Sequence, residues 1–359
     1  MILVEEGKSP LILCLPHSGT EVPNVVLGQF NATGRLQADL SWKLEQVFDL
    51  HDELEATVLR STTSRYVIDL DRNSEAETGN GLDPSTTPCP ATTLDGKPIY
   101  REGERPGPIE TEQRALLFFD PFHFRLRQQI DRLLRLHGIV VLLDCQSMRS
   151  NIQGVTGKGL PLVSIGSVDG QSCDPDLRNL IVGSFKGQPG YTVGIDEQVT
   201  GGFITRTYGR PEQGVHALTV LMAQRSYLRH ESPPFEPDKT RVARLKTVLT
   251  DSLSRIIDWT GTQKPVEAIE LPEEADAQEI VEEILEPETV AEDAAEESLE
   301  NQTAGDDDQD EVPVEGSTEE APSVEASETG QEDPEPSADQ SAHKKVPEDG
   351  ETPPLMVAE

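Results

Sequence analysis

The sequence predicts an α/β fold, a mainly parallel or mixed sheet flanked by helices. Three observations predict it. Leu11–Leu15 and Ile139–Leu143 are apolar throughout, the pattern of strands buried on both faces. Long amphipathic stretches at 110–137 and 239–259 are interspersed with such runs, as in chains that alternate strand and helix. The first ~260 residues carry a near-balanced charge and are long enough to enclose one substantial core.

Taken in order, residues 36–50 place apolar side chains at helical spacing, and 56–59 and 65–70 read as strands. Residues 73–107 are rich in Gly, Pro, Thr and charge. Loops of that length in compact domains are usually functional or disordered. Leu116, Leu117, Phe118, Phe124, Ile130, Leu133 and Leu134 give 110–137 a helical pattern, and Gly138 stops it. The strand 139–143 then ends at Asp144. A short strand at 162–165 precedes a helix over 174–183, with Asp174 as N-cap and Pro175 in the first turn. Residues 201–205 and 215–222 read as strands, and 239–259 as the last helix. The chain has no internal repeat, no GxGxxG and no P-loop.

Composition divides the chain at about residue 262. Of a net charge of −36, −31 falls within 265–359, which holds 33 acids, two lysines and no aromatic residue. Such a segment buries too little apolar surface to offset its chain entropy, so 263–359 is expected to be a disordered acidic tail beside a domain at 1–262. Within it, Ile280, Val281, Ile284 and Leu285 recur at helical spacing, so 277–285 is a candidate amphipathic helix that folds on a protein partner. The acidity argues against nucleic acid and anionic membranes as partners. Four scattered cysteines without CxxC spacing, no export signal and no membrane-length apolar run suggest reduced thiols in the cytoplasm.

Ligands of open α/β sheets sit at the carboxyl ends of strands. His17, Asp69 and Asp144 each fall at or just after the end of a predicted strand, which puts three polar groups on one rim. The stretches around them are Pro16–Thr20 (PHSGT), Ser64–Arg72 (SRYVIDLDR), a TT…DGKPIY loop to Tyr100, Asp144–Ser150 (DCQSMRS), Ile165–Cys173 (IGSVDGQSC), Gly201–Gly209 (GGFITRTYG) and Gly214–Leu218 (GVHAL). In this order the seven motifs resemble the N-formylglutamate amidohydrolases, over about Leu11–Leu228. The resemblance implies a fold similar to zinc-exopeptidase-like hydrolases and the hydrolysis of N-formyl-L-glutamate, in histidine degradation, to formate and glutamate. It also implies a zinc cofactor and a small dicarboxylate or N-acyl amino acid as ligand.

The same resemblance assigns roles. His17 falls on a metal-ligand position, with Gln146 standing where a second histidine is expected. Asp144 and His216 become the candidate catalytic residues. Arg72, Arg149 and Arg206 become the candidates for binding substrate carboxylates, for which guanidinium forks are suited. A zinc ion would polarise the amide and acidify a bound water. The chain departs from the family pattern at Gln146, at Thr207 (His in ITRHYG), at Leu221 (a candidate general-base Glu), at Ser41 (Asp before Trp42) and at Asp71 (Asn in DLNR). Two readings therefore stay open: a metal-dependent amidohydrolase, and a catalytically impaired pseudoenzyme that binds a carboxylated small molecule or acts as a scaffold through its tail. A metal-free nucleophile at Cys145 or Ser147 is a third reading and would need a histidine close in space.

Overall fold

In a computed structural model, which describes residues 1–72 and 87–264, the apolar runs become the centre of one mixed sheet. Its strands are β1 (Ile2–Glu5), β2 (Leu11–Leu15), β3 (Thr57–Ser61), β4 (Val140–Met148), β5 (Val163–Gly166), β6 (Val193–Ile195) and β7 (Val215–Ala223). They lie in the order β1-β3-β2-β4-β7-β5-β6. The central run β3-β2-β4-β7 is parallel. β1 joins β3, and β5 joins β7, antiparallel. Every residue of β2, β4 and β7 is buried, so these strands need no polar alternation.

The helices are α1 (Asn24–Gln29), α2 (Ala32–Leu36), α3 (His51–Leu54), α4 (Pro108–Arg114), α5 (Asp120–His137), α6 (Pro175–Lys186), α7 (Phe203–Tyr208) and α8 (Lys239–Thr260). They divide the core by strand alternation. Leu11, Leu13, Val141, Leu143, Leu218 and Val220 face α6 and α8, represented by Leu177, Ile181, Leu249 and Leu253. Ile12, Cys14, Val140, Leu142 and Ala217 face α5 and α7, represented by Phe122, Leu126, Leu133 and Ile204. Gly138 ends α5 in the left-handed region at φ 67°, a conformation that costs a side-chain-bearing residue more. Asp174 caps α6 by accepting from the Asp176 amide, with Pro175 in the first turn.

Four expectations are corrected. Residues 36–50 form no continuous helix: Gln37 and Lys43 adopt left-handed φ of 48° and 59°, which leaves α2 and a short 3₁₀ turn at Leu44–Gln46. Residues 65–70 are a buried turn, held by Val67 N–H to Ser64 O and Arg72 N–H to Asp69 O. Their apolar side chains fill the core without a strand partner. Residues 201–205 enter helix α7, because Asp71 accepts the Phe203 and Ile204 amides that begin it. The strand predicted to end at Asp144 runs on to Met148, because its register with β7 continues to Met148↔Ala223. The acidic tail from 265 onwards, including 277–285, lies outside the described residues, as does 73–86 of the long loop. No described helix is long and apolar enough to cross a membrane.

Leu142 is fully buried on the central strand, whereas Leu116 is 62% exposed. Leu142→Ala should cost about 2–5 kcal/mol of stability. Leu116→Ala should stay within about 0.5 kcal/mol, with urea denaturation as the measurement for both.

Candidate functional site

The carboxyl ends of β2 and β4, the turn 64–72 and the start of α7 bring a set of charged and polar side chains into one buried place. β2 runs out through Leu15 into Pro16 and His17. The His17 Nε2 lies 2.6 Å from Asp69 Oδ1, the carboxylate accepting from the ring N–H. The other Asp69 oxygen accepts from Arg65 Nη2 at 2.5 Å, and the Asp71 amide donates to Oδ1 at 3.0 Å. His17, Arg65 and Asp69 are each 5% exposed or less. Burial alone would raise the Asp69 carboxyl, but Arg65 and His17 beside it hold it well below the usual carboxylate range. Asp69 is therefore ionised and aimed at the imidazole.

A second group of carboxylates lies beside the first. Within β4, Asp144 is paired to Cys14 on one side and to Thr219 on the other. Strand alternation puts Asp144 and Gln146 on the α5/α7 face. Gln146 Nε2 donates to Asp144 Oδ2 at 2.7 Å and to Asp71 Oδ2 at 2.8 Å. Thr219 Oγ1 adds a donor to Asp144 Oδ2 at 3.1 Å and is itself 2.7 Å from Thr205 Oγ1. Asp71 Oδ1 accepts the Ile204 amide at 2.8 Å. Asp144 Oδ1 is buried and, among the described residues, has no hydrogen-bond partner. Burial, and then the negative charge of Asp71, push Asp144 far above the usual range. Burial pushes Asp71 up to about 6, against the pull of His17 and with Asp69 adding to the rise.

His123, which sequence reasoning passed over, supports this arrangement from α5. Its Nε2–H donates to Leu70 O at 2.8 Å, and its Nδ1 accepts from Tyr208 OH at 2.9 Å. It thereby ties the 64–72 turn to α7. Burial lowers its pKa to about 4, so it is neutral at neutral pH. The signal that could have found it is a lone histidine in the apolar stripe of Phe119, Phe122 and Leu126.

The structure gathers His17, Asp144, Gln146 and Asp69, but not every candidate. His216 is the second residue of β7, opposite Val141, three residues before Thr219 and so about 10 Å along the strand from Asp144. Alternation turns it to the other face of the sheet, where its Nδ1 accepts the Asp174 amide and its ring meets Trp259 edge-on. Arg149 is engaged by Asp39 Oδ1 at 2.7 Å and Asp95 Oδ1 at 3.3 Å. Asp39 also accepts from Tyr66 OH and the Leu94 amide, so this network pins loop 91–98 to the core. Arg206 is half-buried on α7 and donates to Thr200 Oγ1. Arg72 is buried and lines a cleft of about 660 Å³ with Thr87, Arg105, Thr111, Glu112 and Phe119. Cys145 faces the hydrophobic core, and Ser147 Oγ lies 2.7 Å from Tyr227 OH, with no histidine bonded to it among the described residues.

The side chains present do not make a zinc site. Zinc in proteins takes three or four Cys, His or carboxylate ligands. Among the described residues no three His, Cys, Asp or Glu converge in that way. Gln146, on the other expected ligand position, presents its NH₂, which cannot coordinate a cation, to the two nearest carboxylates.

Asp71 binds its proton more tightly in the folded protein than in the unfolded chain. The contribution of Asp71 to stability therefore falls as pH rises from the ordinary carboxyl value of 3.8 through about 6. Asp71→Asn lacks that loss, so its stability relative to wild type should climb across this window, by on the order of 3 kcal/mol. Urea melts at pH 4 and pH 7 check it, and a pH-independent difference would show that Asp71 is not the group responsible.

A model of the N-formylglutamate amidohydrolase family matches residues 9–228. The N-formylglutamate deformylase of Pseudomonas putida is 31% identical over 259 residues, covering 71% of this chain and 94% of the relative. That of Pseudomonas aeruginosa is 31% identical over 256 residues, covering 71% and 95%. A solved structure of N-formylglutamate amidohydrolase from Ralstonia eutropha superposes with a TM-score of 0.60 at 23% identity, covering 72% of this chain and 98% of that one. A protein of Agrobacterium tumefaciens superposes at 0.56 with 17% identity, covering 72% and 96%.

Proposed function

The chain belongs to the N-formylglutamate amidohydrolase family, and from that premise we propose that it hydrolyses the amide bond of a small N-acyl amino acid, N-formyl-L-glutamate first, releasing formate and the free amino acid. The observation that carries this reading is the His17–Asp69 pair, brought together at 2.6 Å from two separate motifs with Arg65 behind it.

An amide is a poor electrophile, so its hydrolysis needs an activated water and a proton for the leaving amine. With Nε2–H donating to Asp69, the His17 Nδ1 is the lone pair that takes a proton from water as the water attacks the formyl carbon. The same nitrogen returns that proton to the departing amine. Asp69 fixes the tautomer and stabilises the imidazolium, and Arg65 keeps Asp69 ionised. Arg72, three residues after Asp69, and Arg105 line the cleft, where a glutamate carboxylate would meet guanidinium groups. The cleft is large enough for a ligand of this class. Arg149, already held by two aspartates, contributes to the scaffold of the loop.

A second reading is binding without turnover. It is favoured by one specific observation, the Gln146 amide spent on Asp71 and Asp144.

Formate release from N-formyl-L-glutamate by the full chain tests the two. For a hydrolase, His17→Ala should lower kcat/KM by about 10²–10⁴-fold. Binding seen by calorimetry without formate release would favour the second reading. Neither binding nor cleavage would overturn both.

A further inference from the structure

We propose that the Gln146 side-chain amide is the resident substitute for a metal cation in this site, so that the chain holds its acidic centre together without metal. A divalent ion between two carboxylates supplies positive charge to an oxygen of each. Here the Nε2 nitrogen does so, with one N–H to Asp71 Oδ2 at 2.8 Å and the other to Asp144 Oδ2 at 2.7 Å. The reverse orientation would set the amide oxygen against two acidic oxygens and leave both without their shared donor.

The surroundings are built for the donor. Thr219 Oγ1 and the Ile204 amide complete the shells of Asp144 Oδ2 and Asp71 Oδ1. The backbone also packs closely on Asp71: a Cβ on Gly202 would stand 1.7 Å from Asp71 Oδ2, so only glycine lets the chain pass there with the carboxylate in place. The consequence reaches the fold, because Asp71 starts α7 and Asp144 lies in the central strand. Gln146 thus joins the 64–72 turn to the sheet. The inference goes beyond the hydrolase reading and stands whether or not the chain turns over substrate, since metal content and melting are measured without it.

The test uses the full-length protein purified without chelator or affinity metal. Elemental analysis should find no stoichiometric zinc, and neither EDTA nor added Zn²⁺ or Mn²⁺ should shift the melting temperature. One zinc per chain would overturn the proposal. Gln146→Met keeps the length of the side chain and removes both donors, so its melting temperature should fall by several degrees. An unchanged value would overturn it too. Gln146→Glu replaces the donor with a third carboxylate, and its melting temperature should fall and be restored by Mn²⁺ or Zn²⁺, as for a vacated cation position. Should Gln146→Glu fail to fold, the wild-type metal content and Gln146→Met still decide the matter.

Discussion

Three aspartates, Asp69, Asp71 and Asp144, are buried within one small volume, and the structure around them is arranged to make that tolerable. A buried charge without partners is expensive, and neighbouring like charges make it more so. The chain answers differently at each position. Asp69 receives a guanidinium and an imidazole and stays ionised. Asp71 receives a helix-start amide and the Gln146 NH₂, and Asp144 receives the same NH₂ and a threonine hydroxyl. Among the described residues neither is ion-paired to a lysine or arginine, and burial makes both resist ionisation. The asymmetry gives one anionic and two reluctant carboxyl groups in one buried site, the separation of protonation behaviour on which acid–base sites are built.

The same donors position the backbone. Asp71 accepts the amides that begin α7, Asp69 accepts the amide of Asp71, and His123 holds the carbonyl between them. The turn that carries the acids is therefore fixed by the acids. The sheet supplies the reference frame, because β2 and β4 are apolar and fully buried up to the point where the polar groups begin. Substituting within this network affects geometry as well as charge. The hydrolase reading rests on the family relation and the His17–Asp69 pair, and the metal-free reading of the site rests on the direction of the Gln146 amide.

Much of this was legible in the sequence, for identifiable reasons. Leu11–Leu15 and Ile139–Leu143 are buried on both faces, so their composition announces their place, and α8 shows its apolar stripe openly. The motif order identified the family. What the sequence could not show was governed by tertiary contact. Residues 65–70 are apolar because they are buried in a turn, and local pattern does not separate that from a strand. Residues 201–205 start a helix because the carbonyl and the carboxylate of Asp71 meet the Phe203 and Ile204 amides. His216 fell outside the cluster because strand alternation and register, invisible without pairing partners, send it to the other face and end of β7. Gln146 stood out as a departure, but the direction of its amide depends on Asp71, which arrives from a turn 75 residues earlier.

The most direct measurement is anomalous diffraction at the zinc edge from crystals of the full chain grown with zinc present, at a resolution that shows the Gln146 side chain. No anomalous peak is expected among His17, Asp71 and Asp144, with the Gln146 amide nitrogen within hydrogen-bonding distance of both aspartates. A zinc peak at coordination distance from His17, with Gln146 turned away from the carboxylates, would contradict the metal-free reading.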